Sequence, residues 1–428
     1  MSTRQFILLL IIILLGFFYP GVAIPEYHLN GTKFSANANS DSFQKEKRRT
    51  ELLKMMGIPF DRCDLDPEFR GSFEHKGLVI ERWIYTSEPG SKVTSLLYRP
   101  KESRGLMPGM VITNGHGNSK STANNIYTAQ LYAKMGIATL VYDTIGEEER
   151  HIKGKKGTRA HDAFSADERA AKAGRLMMGK MVFDVMRGVD FLLERDDIDP
   201  EMIGVAGNSM GGTKATWMLA LEPRLKAVVV SGWGFGSYNS EMGKRCSRVP
   251  ALLREDILSW PEYLLLAEKN ASVLVMNGGI DEIIDQNGSG KIWKQTKENV
   301  AKTASRFANY GNVIETWFDP EGGHRSYHNH KDAFLWLYEH FNTPGWSKQN
   351  IEQLPEITFD QWLERNNLHF ENSHYKLYWP DRHMRGGRYL DLNIKLIPEE
   401  KLKCLNPDEI GLPEYTLEGW LDLIERKQ

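Results

Sequence analysis

The chain has 428 residues, a formal net charge of −2, 41% hydrophobic and 26% charged residues. That length holds one large catalytic domain with extensions, or two domains, and the apolar fraction suffices for a sizeable core. So even a charge balance leaves no electrostatic footprint for nucleic acid, and Cys63, Cys246 and Cys404 stand too far apart for a zinc or redox motif.

Arg4 precedes an apolar stretch from Phe6 to Phe18, then Pro20 and the small-x-small run Gly21-Val22-Ala23. This is the pattern of a secretory signal peptide, residues 1–23, cleaved after Ala23. The stretch is short for a bilayer span, which takes about 20 apolar residues. A secreted or periplasmic protein with no stable membrane span after cleavage is expected. Residues 24–75 read as a leader or N-terminal wrap: first polar, closing on Lys45-Glu46-Lys47-Arg48-Arg49, then a short helix over Glu51–Met56 that ends at Gly57.

From residue 76 to 345 strands and helices alternate. Strands are expected at Leu78–Tyr85, Val93–Tyr98, Gly109–Thr113, Ile137–Tyr142, Met202–Ala206, Lys226–Val230, Ser272–Met276 and Val313–Phe318. Helices are expected at Ile126–Lys134, Lys180–Glu194, Thr213–Leu221, Lys291–Ala308 and Asp332–Phe341. The first two strands read as a hairpin. The later alternation calls for an α/β fold, a mostly parallel eight-stranded sheet with helices on both faces. Val182, Val185, Met186, Val189 and Leu192 supply the helical stripe that one such helix needs. Residues 151–180 interrupt the pattern with a basic, glycine-bearing loop. Its Lys153, Lys155, Lys156 and Arg159 are candidate contacts for an acidic glycan, although loop charges are usually only solvated. The tail, 346–428, has short helical stretches at Phe359–Arg365 and Leu417–Glu425 and reads as a C-terminal extension without chemistry of its own.

Gly207-Asn208-Ser209-Met210-Gly211-Gly212 fits G-x-S-x-G between a strand and a helix. A strand that turns this sharply lifts the Ser209 hydroxyl clear of the backbone, and only glycines fit around it. The helix that follows aims its N–H groups and positive dipole end at the same spot. A serine hydroxyl needs a base, and the base needs an orienting carboxylate. Asp281, past the strand Ser272–Met276, is the candidate acid, with Glu282 and Asp285 as fallbacks. His324, after Gly322-Gly323, is the candidate base. His328 and His330 are read as packing or capping the next helix rather than as metal ligands, since no carboxylate or cysteine set accompanies them. No metal or cofactor is called for. Candidate oxyanion donors are the N–H of Met210 and the N–H of Asn118, with Gly117 second. His116, more structural than catalytic, and Trp233 are candidate substrate-binding residues.

Together the elbow, the His116-Gly117 turn, Gly278 to Asp281, Gly323-His324 and Tyr142-Asp143-Thr144-Ile145-Gly146-Glu147 resemble the α/β-hydrolase superfamily, over roughly residues 76–342. The likeness is to the acetylxylan esterase and dienelactone hydrolase-like branch, with Ser in place of the dienelactone hydrolases' Cys. It implies an α/β-hydrolase fold and a serine esterase that removes O-acetyl or other acyl groups from a small-molecule or oligosaccharide ester. A serine peptidase or other acyl hydrolase, or a glycan lyase, dehydratase or binding protein on the same fold, are the alternatives.

Overall fold

The computed structural model describes residues 38–103, 105–233, 266–267, 271–281, 283, 294, 298, 301, 313–341, 343–368 and 387–426. The chain divides into units 1–42 and 43–428. Of the first, only residues 38–42, which open helix α1 (Ala38–Met56), are described. The expected signal peptide, and nearly all of the expected helix Lys291–Ala308, lie outside the described residues.

Among the described residues nine strands form one sheet, in the order β1-β2-β3-β5-β4-β6-β7-β8-β9. They are β1 (Glu68–His75), β2 (Leu78–Glu88), β3 (Ser91–Pro100), β4 (Met107–Thr113), β5 (Ala138–Tyr142), β6 (Ile198–Asn208), β7 (Ala227–Ser231), β8 (Ser272–Gly278) and β9 (Val313–Asp319). The pairs β1/β2, β2/β3 and β3/β5 are antiparallel, and every later pair is parallel. Strands β4, β5, β7 and β8 are buried along their whole length, which explains why their sequences are mostly apolar and do not alternate.

The strand beyond the eight expected is β1. It lies at the sheet edge, alternates between half-buried and exposed positions, and carries charges, so its apolar signal is faint. Its hairpin to β2 turns on Lys76 and Gly77, both at positive φ (46° and 81°), a geometry that matches strand twist.

Helices α2 (Ala123–Lys134), α4 (Met177–Leu193), α5 (Met210–Leu221) and α6 (Lys331–His340) follow the expected ones closely. A further helix, α3 (Phe164–Lys172), stands inside the segment read as an interruption. The tail adds α7 (Lys348–Gln353), α8 (Phe359–Arg365), α9 (Leu417–Arg426) and a small antiparallel pair, β10 (Glu356–Thr358) with β11 (Arg388–Leu390).

The basic run on α1 is not a solvated face. Lys45 donates to Ala267 O (2.8 Å), and buried Arg49 donates to Ala220 O (3.2 Å) and Leu266 O (3.0 Å). Ala220 belongs to the last turn of α5, where orphan carbonyls favour a cation. No described helix is long and apolar enough to cross a membrane. Cys63 and Cys404 are free thiols, and Cys246 lies outside the described residues.

Register decides where function can gather. Asn208 pairs with Ser231, Ser231 with Met276, and Gly278 with Asp319. The chain therefore leaves β6, β7, β8 and β9 at one edge of the sheet, the carboxyl edge where open α/β sheets bind ligands.

Candidate active site

Ser209 sits between β6 and α5 at φ 60° and ψ −122°. A non-glycine residue in that region is strained, and the strain persists only because the surroundings fix it. Its N–H is held by Ser231 O at 3.0 Å. The flanking glycines have no alternative. A Cβ on Gly207 would stand 1.9 Å from Thr113 Oγ1, one on Gly211 2.2 Å from Thr113 O, and one on Gly212 2.5 Å from Ser231 O. Thr113 Oγ1 also donates to Gly211 O at 2.7 Å, which ties β4 to the first turn of α5.

Two loops at the ends of β8 and β9 bring the second and third candidates together. Gly279 N–H donates to Asp319 O (2.7 Å) and Ile280 N–H to Gly322 O (3.0 Å). Gly278 permits this approach, since a Cβ there would lie 2.1 Å from Gly322 O. Asp281 Oδ2 and His324 Nδ1 are consequently 2.6 Å apart, both buried. Asp281 Oδ1 accepts from Ile283 N–H at 3.0 Å, which fixes the carboxylate plane. A carboxylate only accepts, so His324 carries its proton on Nδ1 and presents Nε2 as the basic nitrogen. Glu282 and Asp285, the fallback acids, lie outside the described residues.

Sequence reasoning missed the residue that joins elbow and histidine loop. Ser231 Oγ shares its proton between Asn208 Oδ1 (2.9 Å) and Arg325 O (3.2 Å), and accepts from Tyr327 N–H (2.9 Å). Gly232, next along, has φ 57°. A Cβ there would meet Asn208 Oδ1 at 2.4 Å and His324 Cε1 at 3.2 Å. The imidazole and the Asn208 side chain thus both border the space that Gly232 leaves open. Nothing in the spacing of Ser231-Gly232 announces this role, although a Ser-Gly pair at a strand's carboxyl end was there to be read.

Met210 is the first residue of α5 and is buried. The N–H of Asn118 closes a turn onto Gly115 O at 3.2 Å. Its carboxamide Nδ2 lies 3.4 Å from the place a Gly115 Cβ would occupy, and Ser209 Cβ lies 3.9 Å from that same place. The loop after β4 therefore reaches the elbow, with the Asn118 side chain on the elbow's side of Gly115.

The half-buried ring of His116 stacks on His161, with centroids 6.0 Å apart and planes 5° from parallel. Burial, and then the charge of Lys214, push the His161 pKa down to about 3. Its Nδ1 is 3.2 Å from Ile145 O, so the neutral ring carries its proton there. Trp233 is buried, its Cβ against Gly212 and its carbonyl accepting from Asn277 Nδ2 at 3.1 Å. That is a packing position and not one presented to solvent.

In the basic loop, Lys156 is paired with Glu399 and Arg159 with Asp162, while Lys153 and Lys155 are exposed. The loop folds back because buried Glu147 accepts from the N–H groups of Thr158 (3.0 Å) and Arg159 (2.6 Å). His328 and His330 are buried ahead of α6. His330 packs edge-on to Trp317 and Tyr327, and its side chain makes no cap bond. Among the described residues no group of three or more His, Cys, Asp or Glu is placed to hold a metal.

Comparison with known proteins bears on the fold and the family. Residues 60–237 match the acetyl xylan esterase (AXE1) family model, and residues 168–342 the prolyl oligopeptidase family model. The Bacillus subtilis (strain 168) protein YtaP is 24% identical over 191 residues, 43% of this chain and 63% of YtaP. The chain thus spans under two thirds of that relative. Among solved structures, methylesterase BT1017 superposes with a TM-score of 0.58 at 16% identity, covering 92% of this chain and 75% of that one. A glucuronoyl esterase from Solibacter usitatus gives 0.51 at 13% identity, covering 76% and 99%. By its fold the chain is an α/β-hydrolase-fold protein, and by its family matches it is similar to the acetyl xylan esterase and prolyl oligopeptidase families.

Proposed function

We propose that this chain is an exported serine esterase that hydrolyses O-acyl, chiefly O-acetyl, groups on carbohydrate. The observation that carries the reading is the buried 2.6 Å Asp281–His324 bond at the sheet edge that also bears the strained Ser209. His324 Nε2 takes the Ser209 proton as the hydroxyl oxygen attacks the ester carbonyl. Asp281 holds the tautomer and stabilises the imidazolium that forms. The tetrahedral oxyanion accepts from Met210 N–H and from Asn118, which offers its carboxamide besides the peptide N–H. Collapse expels the sugar alcohol, protonated by His324. Water activated by the same imidazole then releases the acid. His116 lines the approach from the β4 loop.

Support for a carbohydrate ester comes from the acetyl xylan esterase family match. A uronate ester, in which the sugar supplies the acid, is the second reading, since the chain shares its fold with a methylesterase and a glucuronoyl esterase. The prolyl oligopeptidase match keeps an amide substrate in the comparison. One panel separates them: acetate from acetylated xylo-oligosaccharide, methanol from methyl-esterified oligouronate, and amine from a prolyl anilide. Acetate release is expected to dominate, and Ser209→Ala is expected to lower it by about 10³-fold or more. Undiminished turnover in Ser209→Ala would overturn the mechanism. Methanol release alone would move the substrate to uronates. Export is tested by the N-terminus of the mature protein, expected at Ile24.

A further inference from the structure

The loop after β4 carries Asn118, and two residues on it buries a lysine completely. Lys120 Nζ lies 2.5 Å from Asp143 Oδ2, 2.6 Å from Glu149 Oε2 and 3.3 Å from Glu148 Oε1, with all four side chains shut away from solvent. The backbone is pinned at the same point. Lys120 N–H donates to Asp143 Oδ1 (3.1 Å), and Ser121 donates to Glu148 Oε2 from its N–H (3.2 Å) and its hydroxyl (2.6 Å). Three successive contacts therefore fix residues 120–121 to the loop that follows β5.

That second loop is held from outside by the tail. Glu149 accepts from Cys404 N–H (3.0 Å) and Leu405 N–H (2.9 Å), and Glu148 pairs with Lys403 Nζ (3.0 Å). Lys156, whose ammonium reaches Ser121 Oγ at 3.4 Å, is paired with Glu399. Three buried carboxylates on one lysine are not self-sufficient. Like charges repel, and each oxygen needs a donor. The tail supplies the second cation and two peptide donors that complete the set. Without them Glu148 or Glu149 must protonate or turn outward, and the anchor beside Asn118 loosens.

We infer that the C-terminal segment Glu399–Leu405 is a strut of the active site, with Lys403 and Glu149 as positioning residues that hold Asn118 in place through Lys120. This rests on the reading of Asn118 as an oxyanion donor. The tail then acts on turnover without touching substrate, because a donor displaced by about 1 Å can cost about 10²-fold in rate.

The test uses the full chain with Lys403→Met, Lys403→Arg, Glu149→Gln and Ser209→Ala. It measures kcat and KM on 4-nitrophenyl acetate, affinity for an arylboronic acid that forms a tetrahedral adduct on serine, and the melting curve. Lys403→Met and Glu149→Gln are expected to lower kcat and boronate affinity together, by about 10-fold, with KM within about twofold. Lys403→Arg is expected to restore both. Folded variants with unchanged kcat and boronate affinity beside an inactive Ser209→Ala overturn the strut alone. An active Ser209→Ala removes the esterase reading beneath it. Variants that fail to fold, or that lose activity without loss of boronate affinity, assign the cluster to stability and overturn the inference as well.

Discussion

At the scale of single residues the site is governed by what cannot be added. Gly232 is the sharpest case, because two independent penalties fall on it. Its φ of 57° disfavours any side chain by about 1–2 kcal/mol. A Cβ there would also overlap Asn208 Oδ1 at 2.4 Å and crowd His324 Cε1 at 3.2 Å. The first penalty acts on stability and the second on chemistry, since the imidazole must turn to escape. Gly232→Ala is therefore expected to lower kcat by about 10- to 100-fold while the protein still folds. Steady-state kinetics beside a urea titration checks it, and an unchanged kcat would mean that His324 does not depend on this gap. The residues that announced themselves in the sequence were those bound to a pattern: Ser209 between its glycines, His324 after a glycine pair. Ser231 gave no such signal. Its hydroxyl acts on Asn208, Arg325 and Tyr327, two of them more than ninety positions away, and only the register of β6, β7 and the histidine loop brings those groups together.

Among the elements, legibility followed burial. The helix α9 was readable because Leu417, Trp420, Leu421 and Ile424 fall on one buried stripe. Trp420 is the anchor of that stripe. Its Nε1 donates to Glu88 Oε1 at 3.2 Å, and Arg175 and Lys180 lie over its ring at 5.4 and 5.8 Å. Trp420→Ala removes a large buried ring and strips Glu88 of a donor, so a loss of about 3–5 kcal/mol is expected, with kcat of the folded fraction unchanged. Chemical denaturation measures it. A loss below about 1 kcal/mol would mean that α9 is held by something other than its apolar face. By contrast α3 was not readable. Only Ala166 and Ala170 are buried on it, and its one large apolar residue, Phe164, is 71% exposed. It joins α9 through Arg169, which bonds Asp422 and Glu425, and such a pairing has no periodicity to detect. The strand β1 and the β10/β11 pair were missed for the same reason, being short or at an edge with mixed residues. The central strands could be read because burial on both faces leaves only apolar choices.

For the molecule as a whole, the buried titratable groups set how stability depends on pH, and the signs oppose one another. Burial pushes His161, His328 and His330 down from 6.5 to about 3. Between those values the unfolded chain binds protons that the folded chain refuses, so each imidazole weakens the fold as pH falls from about 6.5. Asp143 and Glu147 are raised to about 7, Asp143 by burial and then by the charge of Glu148, Glu147 by burial. From about pH 4.5 up to 7 the folded state keeps protons that the unfolded state has released, so these two weaken the fold as pH rises. Near pH 5 three unfolded-state imidazolium protons face two protons kept by the folded carboxyls, a net of about one in favour of higher pH; near pH 6.5 those imidazoles are half-titrated and the two sides cancel, so the terms largely offset over this range. Below about pH 4 the carboxyl terms end, and the imidazoles act together with Glu88, whose ion pairs hold its carboxyl at about 2. The urea midpoint is expected to change little from pH 7 to 5 and to fall steeply below about 4. His328 offers a clean separation. Among the described residues neither of its buried ring nitrogens has a hydrogen-bond partner, so His328→Phe removes one imidazole and leaves no donor or acceptor there stranded. That variant is expected to lose about 2–3 kcal/mol less than the wild type between pH 7 and 4. Equal losses in the two proteins would show that His328 is not the neutral, buried group on which this balance depends.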